Sequence, residues 1–386
     1  MINDTKLTSR TIFCKNAYNI KTEKKETIMH IERHMFPGNN TSRGFFSNYP
    51  YIMPHSTAER IYIMKGGPGV GKSTFMRKIA QKAALLDLDI EFMHCSSDPD
   101  SLDAVVFPQK KAVILDGTSP HTVDPRYPGA VDEILNLGDC WDAKGLKEKK
   151  LEIMNLSNEV SRIFVRAYRY LNAAARIYEN LEEIYTIAAD KTRINTIAAE
   201  IIDQYFKDDP VKGKDGYQRR LFATAITPDG LRSHLPSVLN TSKKIVLKGN
   251  PGTGTEKILT KVLEAAQSRE FDTETFYCAL FPEKLEHIVI AEKDLSITTS
   301  NKYHPVTTDG FGSYNLDQDC NKEILKAYED YLQYNRLEFE GLLNRAIYTL
   351  NTEKAYHDRL EKIYVDNMDF DKVNKHVEDL IQEIFG

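Results

Sequence analysis

Gly66-Gly67-Pro68-Gly69-Val70-Gly71-Lys72-Ser73, followed by Thr74, decides how the rest of the chain is read. It fits G-x-x-x-x-G-K-[ST], the phosphate-binding loop. Ile61-Tyr62-Ile63-Met64 ahead of it is a short apolar run of the kind that forms a buried parallel strand. Thr74 to Leu86 behind it predicts a helix, with Phe75, Ile79, Ala83 and Leu86 at 3.6-type spacing. Glycines let the backbone wrap closely enough for its N–H groups to face phosphate oxygens, and the helix start adds a positive dipole end. In such a loop Lys72 reaches the β and γ phosphates and the Ser73 hydroxyl ligates Mg²⁺.

The chain has 386 residues, 41% hydrophobic and 28% charged, which fits two globular domains. A net charge of −5 gives no electrostatic drive toward nucleic acid or an anionic membrane. The five cysteines (Cys14, Cys95, Cys140, Cys278, Cys320) are scattered without C-x-x-C, which argues against a disulfide framework or a zinc site and for a reducing cytoplasm. No run has the length of a membrane helix, and no apolar h-region follows Lys6 and Arg10. Residues 1–28 are polar and read as a loosely held extension.

The order of segments then repeats. In the first half, residues 89–94 predict a second strand, Asp98-Pro99 suits a helix start, and residues 111–116 predict a third strand ending in Asp116. Residues 142–207 lack proline and carry apolar residues at three- and four-residue spacing, the pattern of long amphipathic helices. In the second half, Ile245-Val246-Leu247-Lys248 is a new strand and Gly249-Asn250-Pro251-Gly252-Thr253-Gly254 a second glycine-rich loop. Thr275 to Ala279 and His287 to Ala291 predict strands after it. Gly44, Ser47 and Pro50 match Gly230, Ser233 and Pro236, 186 residues on, and residues 166–206 match 345–385 without a gap, 179 residues on. Arg166, Ala167, Leu171, Leu181, Glu182, Tyr185, Asp190 and Phe206 are among the identities. Duplication of one unit accounts for this better than shared composition does.

The expected fold is therefore α/β, with two tandem P-loop domains built on parallel sheets, each followed by a long antiparallel helical hairpin. The boundaries fall at 29–141 and 142–207 for the first unit, and at 208–320 and 321–386 for the second.

Asp116 closes an apolar strand after the loop, where a carboxylate would hold the Mg²⁺ touched by Ser73. Gly117 follows it, so the ATPases that place a catalytic Glu directly after this acid are not matched. Ser119 replaces the glycine of the Asp-x-x-Gly of GTPases, and no Asn-Lys-x-Asp guanine reader follows, which favours ATP over GTP. A base or water-positioning group must then come from Asp98, His121 or Asp124, at the carboxyl ends of strands. Arg43 and Arg126 are candidate phosphate clamps.

The second loop has Thr255 and Glu256 where Lys72 and Ser73 stand. Threonine supplies no cation, and a glutamate beside phosphates costs about 1 kcal/mol at 4 Å even in water. Lys257 is displaced by two and expected to face elsewhere. Glu292 is the candidate strand-end acid of this half. The second site is expected to bind MgATP poorly or not at all.

The chain resembles a group of bacterial tandem P-loop ATPases found largely in spore-forming Gram-positive bacteria. The resemblance rests on the duplication, on Phe36-Pro37-Gly38-Asn39-Asn40-Thr41 ahead of the loop, and on Leu115-Asp116-Gly117-Thr118-Ser119-Pro120-His121 with Asp124-Pro125. It covers nearly the whole chain after residue 30 and implies ATP binding without naming a reaction. The expectation is a cytoplasmic ATP-binding protein that needs Mg²⁺, with one working site and one degenerate one, packed as an internal pseudo-dimer. It would be a slow ATPase acting as a nucleotide-switched regulator of a protein partner, a kinase for a small acceptor, or a scaffold that binds ATP without turnover.

Overall fold

The computed structural model describes residues 30–119, 122–307 and 312–386. The first half runs β1 (Glu32–Met35), β2 (Gly38–Thr41), β3 (Gly44–Ser47), β4 (Arg60–Lys65), α1 (Lys72–Leu85), β5 (Ile90–His94), β6 (Leu102–Phe107), β7 (Ala112–Asp116), β8 (Asp132–Asn136), α2 (Ala143–Glu148), α3 (Lys150–Ala188) and α4 (Lys191–Phe206). The second runs β9 (Gln218–Leu221), β10 (Thr224–Thr227), β11 (Gly230–Ser233), α5 (Leu235–Val238), β12 (Lys243–Lys248), α6 (Thr255–Gln267), β13 (Thr273–Tyr277), β14 (Leu285–Ile290), β15 (Leu295–Ser300), β16 (Gly312–Asn315), α7 (Lys322–Ala327), α8 (Glu329–Val365) and α9 (Phe370–Phe385). No helix among the described residues is long and apolar enough to cross a membrane.

Each half builds a six-stranded sheet, in the orders β1-β5-β6-β7-β4-β8 and β9-β13-β14-β15-β12-β16. The strand containing or preceding each glycine-rich loop, β4 or β12, lies parallel to both its neighbours. The sheets are not parallel throughout, however. β6 and β14 run antiparallel to the strands on either side. Asp98-Pro99 does not start a helix. It forms a tight turn in which Cys95 N–H donates to Ser101 O and Ser101 N–H to Asp98 O, and a turn that short returns the chain only antiparallel. Every residue of β6 is buried, so its sequence is a continuous apolar run broken only by Asp103.

Period-two alternation splits each sheet between two environments. In the first, Tyr62, Met64, Val105 and Ile114 face α1, while Ile61, Ile63, Val106 and Val113 face the second half and join Leu221, Leu235, Val238 and Phe276 in one shared core. The two halves meet around a pseudo-twofold axis. Phe36 and Phe222, counterparts 186 residues apart, exchange main-chain hydrogen bonds of 2.9 and 3.0 Å. Beside them lies a quartet of counterparts, Arg33 with Arg219 and Glu91 with Glu274. Each guanidinium reaches both carboxylates, as in Arg33–Glu91 at 2.8 Å and Arg219–Glu274 at 2.8 Å. A residue that pairs with its own counterpart is the signature of an isologous interface.

The helices depart from the expected hairpins. α3 packs along α8, not along α4. Ala167 and Leu171 in the middle of α3 share a core with Ala346 and Leu350 in the middle of α8, and Tyr185 near the end of α3 meets Arg336 early in α8, so the two run antiparallel. At 1.5 Å per residue, the 39-residue α3 is about 58 Å long. Asp190 then caps α4 by accepting from Thr192 and Arg193 N–H at 2.8 and 3.0 Å, and Asp369 caps α9 in the same way at Lys372. Each cap ends the long helix and redirects a short one. Ile194, Ile197, Ala198 and Ile201 of α4 cover the sheet and α6 of the second half. Val373, Val377 and Leu380 of α9 cover Phe75, Met76 and Ile79 on the first. The terminal helix of each half is thus exchanged onto the other.

Candidate functional site

The loop between β4 and α1 turns through Gly69 at φ +69° and Gly71 at φ +88°, left-handed values that side chains resist. Lys72 opens the helix and folds its ammonium back over the loop, donating to Gly66 O at 3.2 Å and Gly67 O at 2.8 Å. β7 pairs with β4 so that Asp116 lies opposite Met64, which brings Asp116 Oδ2 within 3.4 Å of Lys72 Nζ. Oδ1 of Asp116 accepts from Thr118 N–H at 2.9 Å and from its hydroxyl. The Ser73 hydroxyl oxygen accepts from Leu102 N–H at 3.1 Å, which ties the helix start to β6.

Among the sequence-predicted residues the structure therefore brings together Gly66, Gly67, Lys72 and Asp116, with Pro68, Gly69, Val70, Gly71 and Ser73 shaping the same turn and Thr74 exposed on the first helical turn. The candidate bases lie in other company. Asp98 accepts from the Ser101 hydroxyl at 2.6 Å. Asp124, 79% exposed, pairs with Lys65 at 3.0 Å, and Lys65 also donates to Gly117 O and Val123 O, pinning the loop after β7. His121 lies outside the described residues. Arg43 pairs with Glu283 of the second half, and the Arg126 guanidinium lies 5.3 Å from the Tyr127 ring centre.

Sequence reading missed what covers the loop. The end of α8 and the start of α9, both from the second half, lie on it. A β-carbon added at Gly67 would meet the Tyr364 ring at 2.5 Å. One at Gly69 would meet the Glu361 carbonyl oxygen at 2.8 Å, and one at Gly71 the Phe370 ring at 3.4 Å. The only available signal was that Glu182 and Tyr185 recur as Glu361 and Tyr364 in the ungapped match, which marks the positions without saying what they touch.

The second loop repeats the shape, with Gly252 at φ +87° and Gly254 at φ +101°, and loses the chemistry. Thr255 and Glu256 open α6. Asp317 accepts from the Asn250 N–H at 2.8 Å and from its side chain, and Thr253 N–H is spent on Asn250 O. The strand-end acid is also gone. Thr299 of β15 lies opposite Leu247, the place Asp116 takes opposite Met64. Glu292, expected in that role, sits in the turn between β14 and β15, because the strand that holds His287 is the antiparallel one. A cavity of about 200 Å³ borders this loop, lined by Glu182, Glu256, Lys257, Lys284 and Glu286 among others. Lys257, expected to face elsewhere, therefore contributes to it. Burial raises the Glu256 carboxyl above its ordinary range, against the opposing pull of Lys284, with Glu182, Glu283 and Glu286 adding to the rise.

Comparisons with family models, with curated proteins and with solved structures return no match for this chain. Among the described residues no group of three or more His, Cys, Asp or Glu is placed to hold a metal ion.

Proposed function

We propose that the first half binds a nucleoside triphosphate, ATP, with Mg²⁺ in the Gly66–Ser73 loop, and that the second half keeps the architecture without the site. The observation that carries this is the Lys72 ammonium held over a left-handed glycine turn, 3.4 Å from a carboxylate on the adjacent parallel strand. A glycine-rich turn at a helix start, facing the carboxyl ends of parallel strands, is where α/β sheets bind phosphates. The donor set fits a hard cation. Ser73 and Asp116 would hold it, and the remaining positions suit phosphate oxygens and water. When bound, Mg²⁺ supplies charge neutralisation for phosphoryl transfer.

Lys72 would move from the loop carbonyls to the phosphates and neutralise charge there. Asp98 and Asp124 each already hold a partner, and Gly117 follows Asp116. Those features support slow turnover and a regulator more than a motor. The exposed Tyr331, Tyr334 and Leu337 on α8, with Tyr328 just ahead of it, offer a surface that a protein partner could read. The resemblance to tandem P-loop ATPases points the same way.

Calorimetric titration of MgATP into the native chain and Lys72→Ala tests the reading. Binding by the native chain that Lys72→Ala loses supports it, and native protein that takes up no MgATP at millimolar concentration would overturn it.

A further inference from the structure

Glu361 lies one turn before the end of α8, its main chain pressed against the Gly66–Ser73 loop. A β-carbon at Gly69 would also meet the Glu361 Cβ at 3.1 Å, so the Glu361 side chain leaves the helix beside the loop. The Glu361 carboxylate lies 3.5 Å from His357 Nε2, and His357 Nδ1 lies 3.4 Å from Glu353, whose side chain is only 6% exposed. The three residues recur every fourth position, so they share one face of the helix. Hydrogen bonding to Glu353 and Glu361 raises the His357 imidazole to about 10, which keeps it charged between them. The His357 hydrogen bond in turn lowers the Glu361 carboxyl, and the Gly69 N–H adds to that. Glu361 is therefore an anion held against Gly69 of the loop.

The second half lacks this device. Glu182, the counterpart of Glu361, also packs its main chain against a loop glycine, with its carbonyl oxygen 2.2 Å from where a Gly252 β-carbon would be. Its carboxylate, however, is taken by Lys284. Ser101 stands at the place of Lys284 in the first half, and Tyr178 and Ala174 stand at the places of His357 and Glu353. The carboxylate left without a lysine partner beside the loop thus belongs to the loop that retains its own lysine.

We propose that Glu361 is a built-in competitor for the cradle, so that a nucleoside triphosphate enters only as the elbow between α8 and α9 withdraws. This rests on the nucleotide reading of the same loop. A phosphate and a carboxylate cannot both accept from Gly69, and two like charges about 4 Å apart cost about 4 kcal/mol near a protein surface. Nucleotide binding then shifts a population between a covered and an open loop. The elbow carries Tyr364 and Phe370 with it. The Tyr364 ring centre lies 6.1 Å from that of Trp141, and Trp141 is the single tryptophan of the chain. Withdrawal therefore changes the surroundings of one fluorophore.

The test is calorimetric titration of MgATP into the native chain, Glu361→Gln and Glu361→Ala, with Trp141 emission followed in each and folding checked by thermal melting. Both variants should bind about tenfold more tightly than the native chain, the value of losing one charged hydrogen bond that competes with ligand. MgATP should also shift Trp141 emission in the native chain. If the native chain binds MgATP and both variants bind equally or more weakly, the competitor role is overturned and the nucleotide reading survives. Tighter binding with Trp141 emission unmoved overturns the withdrawal of the elbow. If all three folded forms bind no MgATP, both the gate and the nucleotide reading fall.

Discussion

Thr299 lies opposite Leu247 in the register at which Asp116 lies opposite Met64. The second half has therefore lost three groups, the lysine, the hydroxyl and the strand-end acid, and Asp317 has taken over an N–H of its loop. Restoring two of the three is not enough. In a Lys72→Ala background, Thr255→Lys with Glu256→Ser should give no MgATP binding by calorimetry, because the acid is still threonine and the loop donors are still spent. Micromolar binding by that triple variant would show that the second cradle needs only its side chains back.

Lys72→Ala in the first half should weaken MgATP binding by about a hundredfold or more, the value of two charge-assisted hydrogen bonds. Asp116→Asn should keep most of the affinity for ATP without Mg²⁺ and lose the Mg²⁺-dependent part. Titrations with and without EDTA separate these outcomes. Equal effects in both conditions would place Asp116 outside any metal role.

Arg219 holds the seam. It is bonded to Glu91 and Glu274 and to the carbonyls of Tyr51 and Ile52. Replacing one member of a buried ionic group strands the others, at a cost of about 3–5 kcal/mol. Arg219→Met should lower the unfolding free energy from urea melts by that amount while leaving the helices formed by circular dichroism. A loss below about 1 kcal/mol would mean that water screens the quartet.

Much of this arrangement is legible in the sequence, and the rest is hidden for identifiable reasons. The loop announced itself because strand, glycines, Lys72 and helix are contiguous. The duplication was visible because residues 166–206 and 345–385 align without a gap. β15 was missed because four of its six residues, Leu295-Ser296-Ile297-Thr298-Thr299-Ser300, carry a hydroxyl although nearly all are buried, and without it Glu292 looked like the strand end. The helix exchange was hidden because Val373, Val377 and Leu380 mark a buried stripe but not its partner. An amphipathic period records that a face is covered, and only the topology says by what.

The exchange itself predicts how the chain folds. α9 completes the core of the first sheet and α4 that of the second. A chain opened between residues 210 and 216 should therefore give two fragments that are each unfolded alone and that reassemble when expressed together, with native melting restored by mixing. A first fragment, residues 1–210, that melts cooperatively without the second would show that α9 is dispensable to its core.

Three histidines at the seam set an acid limit. His34 Nδ1 and His94 Nε2 are 2.9 Å apart, and the His94 and His234 rings stack at 4.3 Å. Burial, then the neighbouring His234 and His34, holds His94 down to about 3. Burial, then His34 and Arg232, holds His234 down to about 4. Burial lowers His34 too, against Glu32. In the unfolded chain these rings titrate near 6.5. Below that pH the unfolded state takes up protons that the folded state refuses. Stability is therefore full above about 6.5 and falls as pH drops toward 4, by up to about 1.4 kcal/mol per pH unit for each ring that must stay neutral. Unfolding free energies from urea melts between pH 7.5 and 4.5 should decline with that slope. His94→Gln should remove about one proton's worth of it, and an unchanged slope in His94→Gln would assign the acid sensitivity to other groups.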